Sequence, residues 1–209
     1  MKPKPDIHIA ARKFVNRFIR NRKPRRLHLS KNLVNLKDIS EMPQKTDDKP
    51  IGIWYGIGDS WIDWCVSEGF GGIHQYIYEV VVNESRILTI DNMRDFEKFE
   101  NEHHDLADWR KELQKADNLI FQEFMLCTGR KSYLDSMNYG NVAKSFDGIE
   151  ITPYQWEKRL ESMWYYGWDC ASGCIWNPDA ITELNLFAQY DVKKNEFVKV
   201  SLQTDKMKV

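Results

Sequence analysis

Apolar positions along this chain repeat with two periods, and each period predicts a different kind of element. In ARKFVNRFIRNRKPRR (11–26), Phe14, Val15, Phe18 and Ile19 fall at i, i+1, i+4 and i+5. That spacing draws one stripe on an amphipathic helix, which ends before Pro24. RRLHLS (25–30) and IGIWYG (51–56) read as short strands, separated by a polar connection over 31–50. HQYIYEVVVN (74–83) is the strongest strand signal, being rich in β-branched and aromatic residues. SRILTID (85–91) follows a turn at Asn83-Glu84, which predicts a hairpin. GDSWIDWCVSEG (58–69) predicts a helix, with Asp59 or Ser60 as its cap and Gly69 as its stop. Its Trp61 and Trp64, three apart, share a packing face.

The second half changes character. Residues 91–126 carry a charged, helical pattern with Asp91 or Asn92 at its start, and 128–140 read as loop. GNVAKSFDGIEITPY (140–154) predicts helix, turn and strand, with Asp147-Gly148 as the turn. Residues 155–192 hold a charged stretch, the aromatic cluster WYYGW and then strand segments, and the Lys-rich remainder reads as a polar tail. Many short strands with helices grouped in the middle predict an α+β fold with a mainly antiparallel sheet. Alternating βαβ units are not indicated, and the glycines of GIWYGIG, at 52, 56 and 58, lack dinucleotide-fingerprint spacing.

Composition narrows the class. With 42 % apolar and 29 % charged residues the chain is globular rather than disordered. It contains no apolar run long enough to span a membrane, and MKPKPDIHIAARKF has no secretory apolar core. The four cysteines lack zinc-ribbon spacing, so reduced thiols and a cytoplasmic location are expected. Glu100, His103, His104, Asp105 and Asp108 are read as a solvated helix face in preference to a metal site.

Net charge is −1, but it is divided unevenly. Residues 1–26 hold ten Lys/Arg against Asp6 alone, which leaves twenty basic and thirty acidic residues, a net of −10, for the rest. The arm cations Arg12, Lys13, Arg17, Arg20, Arg22, Lys23, Arg25 and Arg26 suit a nucleic-acid or membrane-surface contact. A helix docked by its apolar stripe, with its charges in water, accounts for the same residues.

Residues 49–65, KPIGIWYGIGDSWIDWC, place three tryptophans beside a bend. They form either aromatic core or the wall of a pocket for a flat ligand. Three segments in order resemble the ADP-ribosyltransferases, in the branch of poly(ADP-ribose) polymerases and diphtheria toxin with its His-Tyr-Glu triad. RLHLS resembles the first motif, with His28 and Ser30 in register and Leu29 in place of glycine. GIWYG followed by GDSWIDW resembles the second, with Trp54 at the aromatic position. SGCIWNPDAITEL resembles the late strand from Ile175 through Pro178, and YIYEVVVNESRILTID resembles the intervening strand pair. The arrangement is most similar to small phage or bacterial members.

The resemblance implies a split β-sheet domain over 25–192 with a helical insertion near 91–145. A basic helix (1–24) would precede it and a polar tail (193–209) would follow. It implies NAD as substrate and ADP-ribose transfer to a macromolecular acceptor, protein or nucleic acid, in the cytoplasm of a bacterium or phage-infected host. His28 and Ser30 would hold ribose hydroxyls, and Trp54 and Tyr55 would flank the nicotinamide. Gly52 would admit the ligand to the backbone, and Ser60 would bond the carboxamide or ribose. The family's catalytic glutamate aligns with Ser172, which carries no charge. Asp169 and Glu150 are the candidate replacements, and a single transfer is expected rather than chain formation. Two alternatives remain open: an ADP-ribosyltransferase-like scaffold that binds without turnover, and a nucleic-acid module acting through the basic arm.

Overall fold

The molecule, described by a computed structural model, is seen over residues 6–19, 24–72, 74–108, 111–112 and 136–200. The elements run α1 (Ile7–Ile19), β1 (Arg26–Ser30), β2 (Thr46–Asp47), β3 (Ile53–Ile57), α2 (Ser60–Ser67), β4 (Tyr76–Val82), β5 (Ile87–Ile90) and α3 (Met93–His103). They continue with β6 (His104–Asp105), β7 (Ser136–Asn138), α4 (Tyr139–Val142), β8 (Gly148–Ile151), α5 (Met163–Tyr166), β9 (Ser172–Ile175), β10 (Ile181–Asp191) and β11 (Glu196–Lys199). Eight strands form one sheet in the order β11-β10-β4-β1-β3-β9-β8-β5, and β2, β7 and β6 form a small second sheet. Among the described residues only β5 and β8 run parallel within the large sheet, so the expected α+β class with a mainly antiparallel sheet is what the chain adopts.

Alternation along the strands sorts the core into three bodies. Leu27 and Leu29 of β1 face α1, whose Ala11, Phe14 and Val15 are buried with them beside Phe187 and Phe197. Tyr55 and Ile53 of β3 face the opposite way, into a cluster with Val80, Val82, Ile87 and Ile175. Trp54 packs against the third body, where α3 and α5 cover β5 and β8 with Phe96, Phe99, Trp164 and Tyr165. The Phe14 and Val15 part of the expected α1 stripe thus docks onto the sheet, and the Phe18 and Ile19 side chains lie outside the described residues.

Four expectations are corrected. SRILTID does form a strand, β5, but no hairpin with β4. Asn83 accepts from Ser85 N–H and caps a single 3-10 turn, and β4 gives both its edges to β1 and β10. β5 is carried to the far edge of the sheet, where it pairs with β8. The polar tail is also partly strand: the chain turns after Asp191 and adds β11 to β10, burying Phe197. The helical run from 91 is broken after His103 by β6 at His104–Asp105, helix resumes at 108 and 111–112, and 113–135 lie outside the described residues. Of the segment read as loop, 136–138 is strand β7.

α2 follows its sequence closely. Gly56, paired with Leu27 in the seam with β1, lets the helix start come down on β3, since a Cβ there would lie 2.8 Å from that of Trp61. Gly69 ends the helix at φ +62°, the left-handed turn that favours glycine. Among the described residues no helix is long and apolar enough to cross a membrane.

Candidate functional site

β1 and β3 are neighbours for only two residue pairs, Arg26–Ile57 and Leu27–Gly56. Beyond them the ladder stops. β1 continues against β4 to Ser30, and β3 continues against β9. The strands separate there, and a cavity of about 290 Å³ opens in the split. His28, Trp54, Tyr55 and Asp169 all line it.

The His28 imidazole spans the gap, with Nδ1 2.7 Å from the Trp54 carbonyl oxygen. A carbonyl only accepts, so Nδ1 carries the proton and Nε2 is left as an acceptor. Burial pushes the ring's pKa down against the opposing pull of that carbonyl, which keeps it neutral. The site therefore holds a fixed acceptor suited to a hydroxyl donor.

Trp54 meets Trp168 edge to face, with centroids 4.9 Å apart. The Lys49 ammonium lies 5.4 Å from the centre of the Trp54 ring and 3.8 Å from an Asp169 carboxylate oxygen. Lys49 therefore joins an aromatic face to an acid. Asp169 has φ +66°, and Cys170 N–H donates to the Trp168 carbonyl at 2.7 Å, closing a three-residue turn around it. Such a turn with positive φ is rare for a side-chain-bearing residue and is sustained by its surroundings. Burial raises the Asp169 carboxyl, against the lowering pull of Lys49 and Arg159. A raised carboxyl in a cavity is suited to proton transfer. Cys170 also lines the cavity, but burial pushes its thiol up to about 11, so it is not a thiolate nucleophile.

Comparison with family models, with curated proteins and with solved structures finds no match to this chain. What the site does is therefore read from its own residues.

The remaining expected residues sit elsewhere. Glu150 lies behind the cavity wall, where it accepts from Tyr55 Oη at 2.9 Å and from Arg26 Nε at 2.5 Å. Gly173 stands between Tyr55 and Glu150 in the strand register, and a Cβ there would collide with the phenol. Burial opposes the Arg26 charge, but its bonds to Glu150 and Glu84 outweigh this and hold the guanidinium above its ordinary value. Ser30 donates to the Asn32 carbonyl at 2.7 Å, and Ser60 donates to the Ala171 carbonyl at 2.7 Å. Gly52 admits the chain itself: a Cβ there would sit 2.7 Å from Cys174 Sγ. Ser172 lines the cavity and donates to the Cys170 carbonyl at 2.9 Å, so no charge enters at that position.

Of the arm cations, Arg25 pairs with Glu79 at 2.6 Å, Arg26 with Glu150, and Arg12 approaches Asp63 at 3.7 Å. Lys13 and Arg17 are exposed on α1, and Arg20, Arg22 and Lys23 lie outside the described residues. No group of three or more metal-ligating side chains occurs among the described residues.

Trp61 and Trp168, from the two aromatic clusters, also line the cavity, and Lys49 and His74 line it without having been singled out for it. The aromatic density around 54–64 and 164–168 was the available signal. His74 Nδ1 lies 3.0 Å from His8 Nε2, which ties the start of α1 to the cavity rim. Burial, with His8 and His28 nearby, pushes His74 down to about 4, and burial also lowers His8 despite Asp6.

These three histidines predict an acid-sensitive fold. In the unfolded chain they bind protons near pH 6.5. In the native state they bind them only at lower pH, so the unfolded state gains protons first as pH falls. Stability should hold above about pH 6.5. It should decline from there toward about 4, the value of native His74. Melting temperatures measured across that window should fall, and His74→Asn should flatten the decline. A melting temperature indifferent to pH over this range contradicts the assignment.

Proposed function

We propose that the cavity between β1 and β3 takes the nicotinamide–ribose end of NAD, and that the protein is a mono-ADP-ribosyltransferase with an ADP-ribosyltransferase-like split sheet. One observation carries the reading. An imidazole acceptor, an indole, a phenol and a carboxylate, contributed by three separated segments, line one cavity at the splayed central strands. The volume of about 290 Å³ suits a ring and its sugar, and the adenosine half would lie outside it.

The chemistry asks three things of the site. Trp54 offers aromatic surface to the nicotinamide ring, while Tyr55, the other expected wall, turns its phenol to Glu150. His28 Nε2 accepts from a ribose hydroxyl. The C1′–N1 bond then breaks with its electron pair passing to nicotinamide, which leaves neutral. Asp169 stabilises the positive charge that develops on the ribose. The acceptor's nucleophile bonds to C1′, and its proton passes to the Asp169 carboxylate. With serine at 172, repeated chain extension lacks its carboxylate, so the product is a single ADP-ribose on a protein or nucleic acid.

A second reading is a scaffold that binds NAD without turnover. It is favoured by Ser172, which is buried and committed to the Cys170 carbonyl. Titration calorimetry with NAD, paired with chromatographic detection of released nicotinamide, separates the two. Trp54→Ala and His28→Ala should each weaken binding about tenfold or more, equivalent to ~1.4 kcal/mol. Binding without nicotinamide release selects the scaffold. Failure of the wild-type protein to bind millimolar NAD removes both readings.

A further inference from the structure

α1 presents two chemically opposed faces. Ala11, Phe14 and Val15 are buried against the sheet, with the Phe14 and Phe187 rings 5.4 Å apart. Lys13 and Arg17, one helical turn apart, are exposed, and among the described residues neither has a carboxylate within ion-pair distance. Like charges at this spacing repel, so the pair destabilises the isolated helix unless an anion lies between them. Across a groove of about 390 Å³ stands Lys194, in the turn between β10 and β11, its side chain 63 % exposed and 3.9 Å from Asp191. Asn195, beside it at φ +55°, accepts from the Tyr190 hydroxyl through Oδ1, which leaves its amide N–H groups as donors. Two acids also line the groove. Asp6 accepts from the His8 backbone N–H at 2.9 Å and keeps its charge, so Asp6 and Glu196 stand as two negative walls against the three cations.

We propose that the groove formed by Lys13, Arg17 and Lys194 binds the phosphate backbone of a nucleic acid. Three cations around one concavity match a run of phosphates, and backbone contacts of this kind need no base reading. An anionic bilayer would draw the same charges, but a surface helix enters a membrane through its apolar face. Here Ala11, Phe14 and Val15 are already committed to the protein core. The groove shares no lining residue with the β1–β3 cavity, so the proposal stands apart from what that cavity holds. The basic sequence continues through Arg20, Arg22 and Lys23, while the rest of the chain is acidic. Such a charge division confines a polyanion to this end of the molecule.

Fluorescence anisotropy of the full chain with a labelled single strand and a labelled duplex of about 20 nucleotides tests the site. Binding should weaken with salt, with log K falling against log salt at a slope of about −2 to −3 for three phosphates. The triple variant Lys13→Glu, Arg17→Glu, Lys194→Glu should lower affinity about tenfold or more at 50 mM salt, with its thermal melt unchanged. Lys98→Glu with Lys144→Glu, the same reversal away from the groove, should change it little. The proposal is overturned if the wild-type chain binds neither strand form, or if both charge-reversed variants lose affinity equally. Retention only by phosphatidylserine vesicles would likewise reject it and assign the face to a membrane.

Discussion

Asp169→Asn should lower the release of nicotinamide from NAD by about 10²- to 10⁴-fold while changing NAD affinity by less than about threefold. Asparagine is the informative replacement because Asp169 sits at φ +66°, a conformation that asparagine tolerates and most other residues do not. The turn closed by Cys170 N–H and the Trp168 carbonyl should therefore survive, so the loss would reflect charge and not backbone. Lys49 would lose its counter-charge but keep its place over Trp54. Quenched-flow or steady-state nicotinamide release measures the effect. If the variant turns over as fast as the parent, the proton acceptor lies elsewhere and Asp169 only shapes the cavity rim.

The largest effect on stability should come from Arg26→Met. The Arg26 and Glu150 side chains are 16 % and 6 % exposed, and Glu150 is also bonded by Tyr55. Removing the guanidinium strands a buried carboxylate with one phenol for company, a change that costs about 3–5 kcal/mol. Adding Glu150→Leu should restore most of that loss, because the stranded charge goes with it. Urea denaturation of both variants reads the two quantities. A single-variant loss below about 1 kcal/mol would place the pair in the class of solvent-screened surface bridges.

The sequence carried the local elements further than it carried the topology, and four of the residues it named, His28, Trp54, Tyr55 and Asp169, line one cavity. The strands at 53–57 and 76–82 were legible because β-branched and aromatic residues dominate them, and that at 26–30 because Leu27 and Leu29 alternate with polar residues. The helix ending at Gly69 was legible because its stop signal is local. The β4–β5 hairpin was misread for the same reason. Asn83 and Glu84 make a turn, but which strand β5 pairs with is settled by cores far away in sequence. β11 escaped because Phe197 is its lone buried side chain, in a stretch broken up by Lys193, Lys194 and Lys199. Glu150 looked like a free acid since its partner Arg26 lies on β1, and no pattern near residue 150 marks that pairing. Lys49 and His74 had no local signature at all. They reach the cavity only because the chain crosses it there.

The seam between β1 and β3 is held by two residue pairs. Sheets usually spread load over whole ladders; here the centre of an eight-stranded sheet is its narrowest join, and the cavity sits at that join. A molecule lodged there would touch both flanks at once and act as a clasp. Occupancy should thus be felt as mechanical stiffening of the entire domain, visible as slower amide exchange on strands such as β4 and β9 that flank the opening.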